Sequence, residues 1–553
     1  MTMTRIMVSL VAGAALACST QGVLAQSGSD DSTAPRRGVV GWANQQAIVL
    51  SPLQIDTRPH DSMYSTPLTV SRQSLDSIRD AESVSMVGFP LSDAQLVDLE
   101  MRRIRVFDRN AEFVSGNNPA QSLAELNREG RTQMFGGEVA GVPGSSAFIA
   151  FTPTGTNGFV SIDGETHIIS SGAHTETALP RIFNMSTMPE GAITWKDFQC
   201  SAINPATMQE LNETEITPGR LEEAMAQLPI APPPGQTNFA RNDDEPEDDC
   251  RVVNVAIETD YQMGQEFLAS EDPRQALTDY VETLVGSVSY IYDENVNLQF
   301  NVIFLRDWLA EGEDNDPWEG FSTADVLFEL REEWTPDSAP TGLVWNGVHL
   351  LSTRNLGGGI AFLSGMCNLD IAHAVSADLN LGFPLDPNGL PTSFQAQNYD
   401  VFVVAHEWGH NLGAPHTHGK QPPIDLCAFG DCSQAEGGTI MSYCGLCPGG
   451  FENVDLNFDT RILNENIRPF LNAGIQCNLV QTNPDICDLP PVADCIADVN
   501  GDGRLNGGDF AAWIIAYNAG DLRADINRDG QLRPNDFNAW LAAFQAGCDF
   551  PDE

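Results

Sequence analysis

Eleven consecutive residues, His406-Glu407-Trp408-Gly409-His410-Asn411-Leu412-Gly413-Ala414-Pro415-His416, hold the densest chemistry in this 553-residue chain. Residues four apart share one face of a helix, so His406 and His410 can present imidazole nitrogens to a single metal ion. Glu407 follows the first of them along the same cleft, where it can accept a proton from water held by the metal. Gly413 lets the helix stop in a left-handed turn, and the chain then swings His416 round as a third ligand. Three histidines leave the fourth tetrahedral position open, which is the pattern of a catalytic zinc site rather than a closed structural one. With 9 His and 48 Gly in the chain, such a match arises by chance on the order of 10⁻⁵ times.

A helix that carries three ligands must be anchored, and the run Val401-Phe402-Val403-Val404-Ala405 supplies an apolar flank, predicting a helix over Val401–Gly413. Upstream, Val252-Val253-Asn254-Val255-Ala256-Ile257 reads as a strand. Leu277, Tyr280, Val281, Leu284, Val288 and Ile291 follow at helical spacing. Further strands are expected over Leu298–Leu305 and Gly342–Ser352. Leu356-Gly357-Gly358-Gly359-Ile360-Ala361-Phe362 reads either as an edge strand or, through its three glycines, as a turn. Strands alternating with helices predict an α/β (α+β) domain with a mixed sheet.

Gly438-Thr439-Ile440-Met441-Ser442-Tyr443 comes next, with Met441 25 residues after His416. With this turn in place the chain resembles a metzincin zinc endopeptidase, whose Met-turn passes beneath the metal. The HNLG within the motif and the nearby cysteines are most similar to the reprolysin (adamalysin) family, over roughly Val252 to Cys477. The resemblance implies His406, His410 and His416 as zinc ligands, Glu407 as general base, and Met441 as an apolar floor. It also implies that Gly358, Gly359, Ile360 and Ala361 form an edge strand that pairs with substrate backbone. Two departures stand out. Thr417 occupies the place where reprolysins carry Asp after the third His, a position that braces the site. The turn reads IMSY, as in serralysins and, by its Met-x-Tyr spacing, astacins. Tyr443 therefore either reaches the zinc or the transition-state oxyanion, or simply packs as a turn aromatic.

Net charge of −48 with only two lysines, Lys196 and Lys420, argues against nucleic acid and anionic membranes as partners. Residues 1–25 read as a signal peptide: Arg5, the apolar Ile6–Leu16, and Val23-Leu24-Ala25 before a cleavage near Ala25. A secreted protein is expected, with no transmembrane segment, and Ala15-Leu16-Ala17-Cys18 makes a poor lipoprotein signal. An exported chain can hold disulfides. Loss of Cys18 leaves eleven cysteines, ten of them from Cys250 onward and Cys200 alone upstream. Cys444-x-x-Cys447 reads as two half-disulfides ahead of a second metal or redox pair.

Residues 26–245 read as a β-rich prodomain, with strands through Phe135–Gly141, Ser146–Phe151 and Phe159–Ile162, a composition similar to reprolysin propeptides. Cys200 is either a buried structural thiol or a latency switch whose thiolate fills the fourth zinc position. The Pro-rich and acidic sequence that follows, Ala231-Pro232-Pro233-Pro234 and Asp243–Asp249, suits an activation cut between Arg220 and Cys250, with Arg241 a candidate. The catalytic domain then spans 250–477 and a linker 478–494.

Residues 495–548 contain a duplication at 27-residue spacing. Asp498, Asn500, Asp502, Asn506 and Asp509 align with Asp525, Asn527, Asp529, Arg533 and Asp536. Oxygen donors at positions 1, 3, 5 and 12 with Gly at 6 describe an EF-hand-type calcium loop, so two Ca²⁺ are expected. Each loop leads into a helix, with Trp513 and Trp540 equivalent. The module resembles a dockerin, which implies a small all-α domain and a cohesin-type scaffold or cell-surface partner. Gly507-Gly508 and Pro534-Asn535 depart from the recognition pair of cellulosomal dockerins, and Arg533 replaces an oxygen ligand.

Together these readings make a multidomain, secreted zinc metalloendopeptidase, synthesised as a zymogen, acting on protein or peptide substrates through one catalytic Zn²⁺. The rival is a calcium-dependent, cohesin-docking assembly protein with a vestigial protease domain; intact ligands and base count against it.

Overall fold

The computed structural model describes residues 46–58, 64–122, 131–187 (less 173 and 178), 200–210, 251–381 (less 337, 341 and 342), 399–473, and scattered positions between 497 and 544. The strands in chain order are β1 (Gln46–Leu50), β2 (Leu53–Ile55), β3 (Thr66–Val70), β4 (Ser83–Pro90), β5 (Leu96–Ile104), β6 (Phe107–Ser115) and β7 (Gln121–Ser122). Next come β8 (Gln133–Val139), β9 (Ser146–Thr152), β10 (Gly155–Ile162), β11 (Glu165–Ser170), β12 (Arg181–Asn184), β13 (Cys200–Asn204) and β14 (Gln209–Glu210). The last are β15 (Arg251–Thr259), β16 (Leu298–Asp307), β17 (Gly347–Leu351), β18 (Gly359–Phe362) and β19 (His373–Ser376). The helices used below are α1 (Arg72–Ser77), α2 (Tyr261–Gln265), α3 (Pro273–Val296), α4 (Thr323–Glu333) and α5 (Tyr399–Asn411).

Ten strands form one sheet in the order β1-β4-β5-β8-β9-β10-β11-β12-β3-β2. It is apolar on both faces, because side chains alternate along each strand. On β9, Ala147, Ile149 and Phe151 join a core with Leu53, Phe89 and Phe135, whereas Phe148 and Ala150 turn to the core that contains α3.

The second sheet has nine strands in the order β14-β13-β18-β19-β17-β15-β16-β6-β7. Its centre is parallel from β19 through β17, β15 and β16, and β18 runs antiparallel to β19. The sequence boundary near residue 250 is not a boundary of this sheet. β6 lies parallel to β16 on one side, and β13 lies parallel to β18 on the other. Residues 359–362, expected as a free edge, are therefore covered by Cys200–Ile203. The third expected strand begins at Gly347 rather than Gly342, where Asn346 first pairs its N–H with the Asn254 carbonyl at 2.7 Å.

Helix α3 lies between the two sheets, which explains why it is buried nearly all round rather than on one stripe. Asp272 caps its first turn by accepting from the Gln275 N–H, Pro273 opens it, and Asn297 closes it at φ 50°. Its apolar stripe was legible, but its small-residue face was not: Gly286 leaves room for Met134, whose sulfur would stand 2.6 Å from an added Cβ.

The described C-terminal residues show the duplication in three dimensions. The Trp513 indole donates to the Ala524 carbonyl at 3.2 Å, and Trp540, 27 residues on, donates to the Ala497 carbonyl at 3.0 Å. Each indole thus ties to the residue before the first aspartate of the other repeat, around a cluster with Tyr517, Phe537 and Phe544.

Asp260, at the end of β15, caps α2 by accepting from the Met263 N–H at 2.8 Å and from the Ser352 hydroxyl. Burial pushes its carboxyl up to about 6, against the pull of those hydrogen bonds. A folded pKa above the unfolded one means that the protonated form's contribution is complete below about pH 4 and is lost as pH rises through about 6. Asp260→Asn keeps the acceptor without the charge. Its stability relative to the parent should rise by on the order of 2–3 kcal/mol between pH 4 and 7. Urea titrations at several pH values read this difference, and a pH-independent one would show that Asp260 does not titrate in this range.

Candidate functional site

Helix α5 is fixed at both ends. At its start the Tyr399 hydroxyl donates to the Ala377 carbonyl at 3.2 Å, while Asp400 accepts from the Asn380 N–H and the Tyr280 hydroxyl, each at 2.8 Å. Along its length Trp408 stacks on Phe300 with centroids 3.9 Å apart, and the Tyr292 hydroxyl donates to the Ala405 carbonyl at 2.8 Å. At its end the Asn411 amide donates to the Phe362 and His373 carbonyls, tying the helix to β18 and β19. Gly413 then adopts φ 88°, the left-handed stop expected of it.

The three motif histidines come together. His416 Nε2 stands 3.1 Å from both His406 Nε2 and His410 Nε2. The other nitrogens of the helical pair are committed: His406 Nδ1 to the Ile440 carbonyl at 2.6 Å and His410 Nδ1 to the Ala414 carbonyl at 2.7 Å. A carbonyl can only accept, so each ring carries its proton on Nδ1 and turns a lone pair inward from Nε2. Burial pushes His406 well below the ordinary imidazole range and His416 down to about 3, which keeps both rings neutral. Glu407, fully buried beside them, is pushed well above the usual carboxylate range by desolvation, with a hydrogen bond from Cys200 opposing.

Cys200 enters the same cluster from β13. Its thiol donates to Glu407 Oε1 at 2.9 Å and lies 3.5 Å from His410 Nε2. Together with His406, His410 and His416 it forms a four-residue group whose ligand atoms all lie within 4.8 Å of one another. Nitrogens at about 2.0–2.1 Å from a tetrahedral zinc stand about 3.3 Å apart, with a sulfur ligand about 3.6 Å from each. The observed 3.1 and 3.5 Å fit that donor set.

The three glycines divide between the two readings: Gly357 (φ 103°) and Gly358 (φ 95°) form a turn, and only Gly359 belongs to β18. Gly357 and Gly358 donate their N–H groups to Asp378 Oδ2 at 3.1 and 3.0 Å, which orients the strand's entry. Gly359 lies so close to the carboxylate that an added Cβ would stand 2.0 Å from Glu407 Oε1. Ile360 and Ala361 pair with Ser201 and Ala202. The Tyr443 hydroxyl donates to the Cys200 carbonyl at 2.6 Å, and its ring lies 4.8 Å from that of His416.

Met441 is fully buried beneath the motif, its sulfur 2.7 Å from where a Cβ on Gly409 would stand. Thr417 replaces the bracing Asp by a different route. Its N–H and hydroxyl both reach the Met441 carbonyl, at 3.0 and 3.2 Å, and the hydroxyl neighbours Asp425, partly offsetting the rise that burial causes in that carboxyl. The cysteines of the surrounding loop form the disulfides Cys427–Cys444 and Cys432–Cys447, so Cys444 and Cys447 are half-disulfides of two different bridges. Asp378 and Asp425 were not singled out in the sequence, and Asn411 only as part of the HNLG segment, since nothing local separates a supporting polar residue from a surface one. Asp498, Asn500, Asp502, Asn506, Asp509, Asp525, Asn527, Asp529 and Asp536 lie outside the described residues, as do residues 1–25 and Arg241.

A family model described as Reprolysin_5, metallo-peptidase family M12, matches residues 249–452. That stretch is similar to metallopeptidases, and it contains the three histidines, Glu407, Met441 and Tyr443, but not Cys200. Among solved structures, metalloproteinase-II from Bacteroides fragilis is 11% identical, covering 67% of this chain and 89% of that one, with a TM-score of 0.33. A chaperone–substrate complex is 13% identical over 30% of this chain, with a TM-score of 0.22, and this chain spans only 24% of its length.

The close approach at Gly359 is testable by stability alone. Gly359→Ala should cost roughly 1–3 kcal/mol through overpacking against Glu407. Gly437→Ala, where nothing lies within 4 Å of an added Cβ, should be near neutral. Denaturant midpoints of the two variants decide it, and equal effects would mean that the carboxylate does not sit against the strand.

Proposed function

We propose that the chain is a secreted zinc endopeptidase of reprolysin-like type, made latent by its own Cys200 strand. In this reading a C-terminal dockerin-like module, holding two Ca²⁺, attaches it to a scaffold or surface. The observation that carries the reading is the meeting of three inward-facing Nε2 atoms with a thiol that donates a hydrogen bond to Glu407.

His406, His410 and His416 would hold the zinc, which supplies Lewis acidity that makes water a nucleophile near neutral pH. Each remaining part belongs to the chain's own groups. The Ile440 and Ala414 carbonyls hold two rings in the ligating tautomer. Glu407, whose Oε1 already accepts a hydrogen bond from the thiol, accepts the proton of the attacking water and delivers it to the leaving amine. Once β13 withdraws, the Tyr443 hydroxyl no longer serves the Cys200 carbonyl and can donate to the oxyanion of the tetrahedral intermediate. The backbone from Gly358 through Gly359, Ile360 and Ala361 of β18 then offers its free edge to a peptide. In the latent chain Cys200, as its thiolate, would fill the fourth ligand position.

Glu407→Gln should retain stoichiometric zinc while losing casein hydrolysis by about 10²–10⁴-fold. Near-parental turnover by this variant would remove Glu407 from the mechanism. Cys200→Ser tests latency separately. Loss of a sulfur contact worth more than about 1.4 kcal/mol shifts the balance between closed and open chain at least about tenfold. The uncut variant should therefore outpace the uncut parent by that factor, and equal latency would rule out the thiol as the lock.

A further inference from the structure

The N-terminal region makes two unlike attachments to the catalytic part. β13 is bound at the rim, through the pairing of Cys200–Ile203 with Gly359–Phe362, and beyond it lies only β14. β6 is bound within the sheet, between β16 and β7, with Leu305, Arg306 and Asp307 opposite Phe113, Val114 and Ser115. Ala111 and Phe113 are buried in the same core as Val253 and Leu284.

Helix α3 strengthens the second attachment along its length. The Tyr290 hydroxyl donates to the Gly137 carbonyl at 2.7 Å, and its ring fills the space left by Gly136, where a Cβ would stand 2.4 Å away. The Thr154 hydroxyl donates to Asp279 at 2.8 Å inside the protein, and Arg102 pairs with Asp293 at 2.8 Å. Removal of the N-terminal region would expose an apolar helix face and an unpaired strand together, a combination that drives aggregation rather than release.

We infer that the N-terminal region is a permanent partner of the catalytic part. The working form is a two-fragment complex in which β1 to β12 stay bound without a covalent link, and only β13 and β14 leave. The inference rests on the proposed latency for its premise that the chain is cut between Arg220 and Cys250. Activation then needs a second break between Thr187 and Cys200, so that the lock departs while β6 remains in the sheet.

The test places sites for a narrow-specificity protease in 211–250 and 188–199 of the full chain, cuts both, and analyses the product by size exclusion and mass spectrometry. At about 1 μM, where an interface of ordinary size stays associated, the β1–β12 fragment should co-elute with the catalytic fragment and the 200–210 piece should be missing. Amide exchange at Val302–Asp307 should stay as slow as in the uncut chain. Separate elution of a monodisperse catalytic fragment, or rapid exchange along β16, would overturn the inference. Casein hydrolysis is scored apart from association: an intact but inactive complex upholds retention and counts against the peptidase reading.

Discussion

Four residues at the rim of the nine-stranded sheet, Cys200 to Ile203, run parallel to Gly359–Phe362, and this ladder sets the geometry of everything around the histidines. It fixes where the thiol enters, because Cys200 is the first rung and lies opposite Gly359. It fixes why that partner has no side chain, because a Cβ on Gly359 would strike Glu407. It also presents the carbonyl that engages Tyr443. Shifting a strand's register by one residue would turn the sulfur to the other face of the sheet, so the ladder, rather than the thiol alone, selects the contact with Glu407.

Exclusion of water is the second consequence. With β13 in place His406, Glu407 and His410 are wholly buried, and burial is the leading cause of the shifts that keep His406 neutral and the Glu407 carboxyl protonation-prone. A neutral imidazole is the form that binds a metal. The surface of the protein, by contrast, is strongly acidic, with a net charge of −48. Within the sheet the buried Glu258 is paired with Arg306 and accepts from the Trp334 indole, in keeping with the cost of an isolated buried ion.

The parts of this architecture that depend on local spacing were legible in the sequence. Two histidines four apart, a glycine that stops the helix and an apolar flank define α5 to within two residues at each end, since helical periodicity is a property of neighbours. The apolar stripe of α3 was legible for the same reason. What escaped depends on contacts distant along the chain. Nothing near Phe107–Ser115 distinguishes a strand of the ten-stranded sheet from one inserted beside β16, and the small residues of α3 reveal their purpose only against Met134 and Tyr290. Thr417 is a case between the two. The missing Asp was visible, but its replacement by contacts to the Met441 carbonyl and Asp425 needed the fold. Cys200 was found by counting rather than by pattern, because an odd thiol in a chain expected to be exported has to be explained.

One imbalance at the centre connects these points. Glu407 Oε1 accepts from the thiol, but Oε2 is buried and has no hydrogen-bond partner among the described residues. A buried polar atom left unsatisfied costs roughly 1–3 kcal/mol, and the penalty belongs only to the state in which β13 covers the cleft. With the strand withdrawn, water reaches both oxygens. The covered state must therefore be held by something other than the carboxylate, and the ladder to β18 together with the Tyr443 hydrogen bond supplies it. Oε2 of the group proposed to accept protons in catalysis is thus unsatisfied while β13 covers the cleft, so its solvation favours opening, and under the proposed latency the lock is a peptide strand that a cut in the chain can release.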